Sequence, residues 1–200
     1  MKSLHKLNKR KTMPFFSAGF TLIEAVVAIA ILMFTIIGPI TLAQRSLSAS
    51  YYAKDQVIAY YLAEESVEYL RNLRDGNRLK GNPWLQGANP CFSSGGSSYC
   101  GIDPSNFMGS VIVACSSVNS NCRLTYHPGN SVYGYAYDGS GTILSGWQSS
   151  LFSRRVSIMR PDGALPTGAE NEVVINVEVS WQTESLSPQT FKLTENIFDW

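Results

Sequence analysis

Apolar and polar positions follow three different rules along this chain. From Phe20 to Ala43 the apolar residues show no period, because nearly every position is apolar. One charge, Glu24, falls in these 24 positions. A helix of that length is roughly 36 Å long, more than a hydrocarbon core of about 30 Å. Residues 44–75 then show a stripe of Leu47, Tyr51, Ile58, Leu62, Tyr69 and Leu73, spaced by four and seven. That spacing predicts an amphipathic helix continuing the first. Asp75-Gly76-Asn77 is expected to stop it, with Gly76 taking the left-handed conformation. Further on the period becomes two. Val173, Ile175, Val177, Val179 and Trp181 alternate with polar neighbours, as a half-buried strand requires.

Other strands are fainter. Phe191, Leu193 and Ile197 suit a partner for the first, with the turn near Ser185 to Gln189. Phe152, Val156 and Ile158 mark an earlier strand, interrupted on the same face by Arg154. "VYGYAY" at 132–137 and "GTILSG" at 141–146 suggest a hairpin around Asp138-Gly139. Trp181 and Phe198 are the expected large core residues. Residues 76–110, rich in Gly, Asn, Pro and Ser, predict loop. The expected fold class is α+β: a long N-terminal helix, its first half transmembrane, its second half packed on an antiparallel sheet of four or more strands.

Charge sets a direction across the bilayer. Lys2, Lys6, Lys9, Arg10 and Lys11 precede the apolar run with no acid among them, and only Arg45 follows it before Lys54. The N-terminus is therefore expected in the cytoplasm and the C-terminal domain outside. The formal charge of +1 hides this asymmetry, since without the leader eleven bases face fifteen acids. An acidic exported domain argues against a nucleic-acid partner. A cleaved secretory signal would have a shorter apolar core followed by small residues. Here Ala18 and Gly19 come first and Thr41-Leu42-Ala43 is a faint site, so the span is expected to be retained.

Thr21-Leu22-Ile23-Glu24 fits a capping box, in which hydroxyl and carboxylate answer unpaired N–H groups at a helix start. A cap is worth roughly 1 kcal/mol, whereas a carboxylate inside the bilayer costs about 2.5–3.5 kcal/mol, less near the interface. A cationic partner for Glu24 is the sharper expectation, and the two roles are compatible. Gly38-Pro39, late in the run, predicts a kink or a locally unwound turn, although membrane helices also tolerate proline.

A lysine-rich leader, Gly19, then Phe20-Thr21-Leu22-Ile23-Glu24 and an apolar run resembles the prepilin signal of type IV pilins and type II secretion pseudopilins. The resemblance spans residues 15–45. "YYLAEESVEYLRNLRD" is similar, less specifically, to minor pilin-like proteins. The resemblance implies that a prepilin peptidase/methylase cuts between Gly19 and Phe20 and methylates the Phe20 amine. It divides the chain into a leader (1–19, removed), a transmembrane and assembly half-helix (20–43), an amphipathic half-helix (44–75) and an exported β-rich domain (76–200). Implied partners are other pilin or pseudopilin subunits, the inner-membrane assembly machinery, and the lipid bilayer before assembly. The destination would be a cell-surface or periplasmic filament. Cutting would create an ammonium of pKa near 8 four residues before Glu24, able to neutralise it within one chain or between neighbours.

Cys91, Cys100, Cys115 and Cys122 form two close pairs, and an exported location makes disulfides the default. Of three connectivities, neighbour pairing is expected. The gaps of eight and six residues do not suit zinc, and His127 stands alone. Many type IV pilins bracket a C-terminal loop with one disulfide, whereas the last 78 residues here lack cysteine. No catalytic constellation, phosphate loop or metal motif stands out, so neither enzyme activity nor a cofactor is expected, and no small-molecule ligand is evident. The clusters Arg154-Arg155 and Arg71/Arg74/Arg78/Lys80 suggest solvated faces, and Tyr51 and Tyr52 a membrane-interface belt. The expected function is a structural subunit of a type IV pilus-like filament. Alternatives are a pseudopilin of a secretion or DNA-uptake system, and a membrane-anchored surface- or glycan-binding module.

Overall fold

A computed structural model describes residues 19–95, 98–105, 111–115, 122–182 and 187–200. The chain forms two units, Met1–Ala49 and Ser50–Trp200, and one helix, α1 (Leu22–Leu79), runs through both. With an antiparallel sheet in the second unit, the fold is α+β.

The sheet has seven strands: β1 (Cys100–Ile102), β2 (Ile112–Ala114), β3 (Arg123–His127), β4 (Val132–Gly134), β5 (Gln148–Met159), β6 (Glu172–Trp181) and β7 (Gln189–Phe198). The three long strands form a meander, β5-β6-β7. The other edge of β5 is shared by two short hairpins. β3-β4 pairs near its start, through Tyr126↔Gln148 and Thr125↔Ser149, and β1-β2 nearer its end, through Cys100↔Val156. Period-two patterning holds as expected on β6, where Val173, Ile175, Val177, Val179 and Trp181 are buried. Their partners on β7 include Ile197, Leu193 and Phe191, in register with Val173, Val177 and Val179. Phe198 is the exception. Adjacent side chains on a strand point to opposite faces, and because Ile197 faces inward Phe198 is 51% exposed. The expected turn from Ser185 lies partly outside the described residues.

The tract 132–146 forms less of a hairpin than its pattern suggests. Val132–Gly134 pairs instead with β3, a strand that the sequence reading left out. A single bridge, Tyr137↔Ile143, closes around Asp138, whose carboxylate accepts hydrogen bonds from the Ser140 and Thr142 N–H groups. Within 76–110, the nominal loop holds a 3-10 turn (Asn89–Cys91) and β1.

In the second unit α1 buries Ala59, Leu62, Ala63, Ser66, Val67 and Leu70. Ile58, Tyr69 and Leu73 pack at the margins, while Leu47 and Tyr51 are exposed. The buried face therefore includes the small residues Ala59, Ala63 and Ser66 beside the large apolar stripe. Aromatic rings close the end of this core near Trp181, with Tyr52 at 6.4 Å and Phe152 at 6.1 Å between centroids.

The helix also ends later than expected. Gly76 stays helical, and the stop falls at Gly81, with φ +72°. Asn82 N–H donates to the Asn77 carbonyl at 2.9 Å and Gly81 N–H to that of Arg78 at 3.0 Å, the two bonds of a Schellman motif. Asn77 holds the extra turn: its buried amide donates to the carbonyls of Trp84 and Gln86, at 3.1 and 2.9 Å. Trp84 in turn donates from its indole to the Glu170 carbonyl, 2.9 Å away.

Arg154 corrects the expectation of a solvated basic face. It is fully buried, on the inward side of β5 between Phe152 and Val156. Its guanidinium donates to the Leu62 carbonyl of α1 at 2.8 Å, to the Glu65 carboxylate and to the Ile102 carbonyl of β1. The Tyr135 ring lies beside it, 5.8 Å from Cζ to centroid, and the Tyr135 hydroxyl donates to the Arg154 carbonyl at 2.8 Å. Burial pushes the Tyr135 phenol above its ordinary value, and the Arg154 charge only partly opposes this. One side chain thus joins helix, central strand and hairpin.

The cationic cluster on α1 is paired rather than merely solvated. Arg71 bonds Glu195 and Glu68, and Arg74 bonds Asp75 and the Phe198 carbonyl. Arg78 pairs with Asp199, and Trp200 lies under Arg74 at 5.1 Å. The remaining loop staple is Glu170, which accepts from Thr167 N–H, Thr167 hydroxyl and Gly168 N–H, each at 2.8 Å.

Replacing Arg154 by Ala leaves the carbonyls of Leu62 and Ile102 without this donor, and is expected to cost about 3–5 kcal/mol in denaturant unfolding of the full chain in detergent micelles. Glu65→Gln should cost only about 1 kcal/mol, since Glu65 is 40% exposed and its amide can still accept. Glu170 gives a pH test. Burial alone would raise its pKa, but the hydrogen bonds from Thr167 and Gly168 lower it from 4.5 to about 2. Its contribution is complete above pH 4.5 and is lost as pH falls through about 2. The Glu170 carboxyl carbon should titrate with a midpoint near 2 by NMR. A midpoint at the ordinary glutamate value would show that the staple is absent.

Candidate functional site

In the first unit, Thr21 caps α1. Its hydroxyl accepts from Glu24 N–H at 3.3 Å, and its carbonyl accepts from Ala25 N–H at 3.1 Å, the first helical bond. Glu24 is exposed in the first turn, at the positive end of the helix dipole. Because the helix starts at Leu22, Phe20 stands ahead of the cap rather than inside the first turn. Phe20 is 78% exposed, and a Cβ on Gly19 would meet nothing within 4 Å, so the Gly19–Phe20 peptide is open to solution. The basic leader, residues 1–18, lies outside the described residues.

Every large apolar side chain from Phe20 to Leu42 is at least half exposed, on all sides of the helix. At about 25 cal/mol per Å² of apolar surface, covering them is worth on the order of 40 kcal/mol, more than the net stability of a whole domain. By length and composition α1 has a segment able to cross a membrane. The expected unwound turn at Gly38-Pro39 is not there: helix is continuous through both residues. Local hydroxyls support this stretch, Thr35 donating to the Leu32 carbonyl and Thr41 to the Gly38 carbonyl, both at 2.8 Å. Neighbouring serine or threonine side chains are how apolar helices accommodate proline.

The four cysteines pair as neighbours. Cys91–Cys100, with Cα atoms 4.7 Å apart, ties the 3-10 turn to the start of β1. Cys115–Cys122, at 5.1 Å, ties the end of β2 to the start of β3. Between them Cys115 N–H donates to the Tyr99 carbonyl at 3.0 Å, extending the β1-β2 pairing by one step. The bridges thus fix a short hairpin on the β5 edge rather than closing a long loop.

Arg155 is the residue that the sequence reading left undistinguished from Arg154. On β5 the two point to opposite faces; the parity of Phe152, Val156 and Ile158 already assigns Arg154 inward and Arg155 outward. His127 is an aromatic packing residue, its ring 5.2 Å from that of Trp147 and its Nδ1 accepting from Asn130 N–H at 3.3 Å. Among the described residues no three His, Cys, Asp or Glu side chains gather in a way that could hold a metal ion.

No protein-family model matches the chain, and neither a curated protein nor a solved structure does.

Removing Cys115–Cys122 by a double change to Ser should lower unfolding stability by about 2–3 kcal/mol, a short-loop value, without altering far-UV circular dichroism. A loss of sheet signal would show that the hairpin depends on the bridge for its existence and not only its stability.

Proposed function

We propose that this chain is a structural subunit of a type IV pilus-like filament, processed at Gly19–Phe20 and assembled through the apolar part of α1. The observation that carries the proposal is the conjunction at the helix start. An open Gly-Phe peptide and a threonine cap precede a lone carboxylate, and an apolar helix exposed on every side follows directly.

The chemistry follows from charge. Peptide hydrolysis after Gly19 converts a neutral amide into an ammonium at Phe20, within reach of carboxylates near the same depth in a bilayer. Glu24 unpaired in lipid costs about 2.5–3.5 kcal/mol, less at the interface, and a cation relieves it. Phe20 stands outside the first helical turn. Its amine is therefore not locked onto its own helix face, which favours Glu24 of a neighbouring subunit as the partner. Apolar helices then bundle with their surfaces covered by one another instead of lipid. The uncut precursor, with its basic leader and no free amine, stays a single-pass membrane protein.

Mass spectrometry of the protein recovered from membranes should give a mature chain beginning at methylated Phe20. A working chain that keeps residues 1–19, or one trimmed beyond Leu42, would exclude this reading. Glu24→Leu should leave membrane insertion intact and reduce filaments by at least tenfold in electron micrographs. Filaments at normal abundance would remove the pairing role.

A further inference from the structure

The outward face of the meander carries a row of opposed charges. Arg155 on β5 lies across from Glu178 on β6, and Glu178 across from Lys192 on β7. Directly opposite charges on a sheet face are placed to pair. Glu178 does so with Lys192, at 3.2 Å. Arg155 does not. Its guanidinium lies instead over the Tyr99 ring, Cζ 5.6 Å from the centroid. Arg71, Arg74, Arg78, Arg154 and Arg160 each bond a carboxylate. The Arg155 side chain bonds no described residue, so its fork of N–H donors is unspent.

Two clefts meet at this pair of residues. One, of about 180 Å³, runs from Tyr99 and Arg155 over Ser157, Asn176, Glu178 and Thr194. The other, of about 590 Å³, runs from the same two residues past Asn89, Ser98 and Cys115. Tyr99 precedes Cys100 and pairs with Cys115, so a disulfide bounds the aromatic support on each side. A half-buried arginine over a ring, lining two clefts, is placed to meet an oxyanion.

We propose that these joined clefts bind an acidic polysaccharide, a uronate carboxylate on Arg155 with the sugar hydroxyls along the polar rows beside it. In the row next to the charges Ser157 is buried, and Asn176 and Thr194 supply short groups that donate and accept, as vicinal hydroxyls require. Thr194 hydroxyl already donates to Asn176 Oδ1 at 2.8 Å, which leaves the Asn176 amide N–H groups to donate outward. A nucleic acid fits less well, because its run of phosphates calls for several unpaired cations and the clefts hold one unpaired arginine and one paired lysine. An acidic peptide also fits less well. The clefts lie on the face of the sheet, whereas strand addition requires the backbone groups of an edge.

The test uses the full chain in mild-detergent micelles, titrated calorimetrically with trigalacturonate, with its methyl ester and with inorganic phosphate. Trigalacturonate is expected to bind, and the ester to bind at least tenfold more weakly. Arg155→Gln should weaken trigalacturonate at least tenfold, with Arg155→Lys in between, while Arg123→Gln leaves binding unchanged. Unaltered near-UV circular dichroism shows that the variants keep the fold. Absence of trigalacturonate binding, equal binding of the ester, or undiminished binding by Arg155→Gln overturns the proposal. Phosphate bound in place of the sugar overturns it too, by reducing the site to a simple anion pocket.

Discussion

The constraint on which the molecule depends is that one helix carries two kinds of surface. From Phe20 to Leu42 its side chains offer water almost nothing to bond, and from Ala59 to Leu70 they bury one narrow face and expose the rest. The backbone is the same in both parts, with hydrogen bonds made inside the helix. What changes is where the apolar surface goes. In the second unit the sheet takes it. In the first unit it is exposed on every side, and covering it is worth more than the net stability of a domain.

Packing in the second unit is organised around a charge rather than around bulk. Burying a guanidinium is costly unless each donor direction is met. Arg154 meets two backbone carbonyls and a carboxylate, from α1 and β1, through its terminal nitrogens, while its buried Nε–H has no hydrogen-bond partner and its own carbonyl is bonded by Tyr135. An apolar residue at this position would pack against any register of helix on sheet. The guanidinium accepts only the one that brings Leu62, Glu65 and Ile102 together. Buried ion pairs are weak contributors to net stability, and specifying register is their best-attested use.

Much of this architecture was legible in the sequence because the signals were local. The alternation of residues 173–181 fixes which face of β6 is buried, and it carries β7 with it through Ile197 and Leu193. The cysteine spacings of nine and seven made neighbour pairing the simplest closure, and both bridges form. The threonine at the helix start was equally plain, since a cap depends on residues three apart. What escaped the sequence depended on distant partners. Asn77 keeps the helix going past Gly76 because Trp84 and Gln86 fold back to meet it. Strand β3 is five residues long and shows little alternation of its own. Arg154 resembles a surface residue until Leu62 and Glu65, about 90 positions earlier, are brought against it. Arg155 gains its distinct role only once β1 places Tyr99 beside it.

The pairing of α1 with the chain's last residues has a consequence for the order of events. Arg71 waits for Glu195, and Arg74 for the Phe198 carbonyl, each 124 positions later; Arg78 waits for Asp199, 121 positions later. The helix is synthesised well before its counterions. Closing contacts so remote is intrinsically slow, and until the final strand emerges three guanidinium groups along the helix lack those partners. Loss of Glu195, Phe198 and Asp199 would therefore undo the last turns of the helix as well as the strand that carries them.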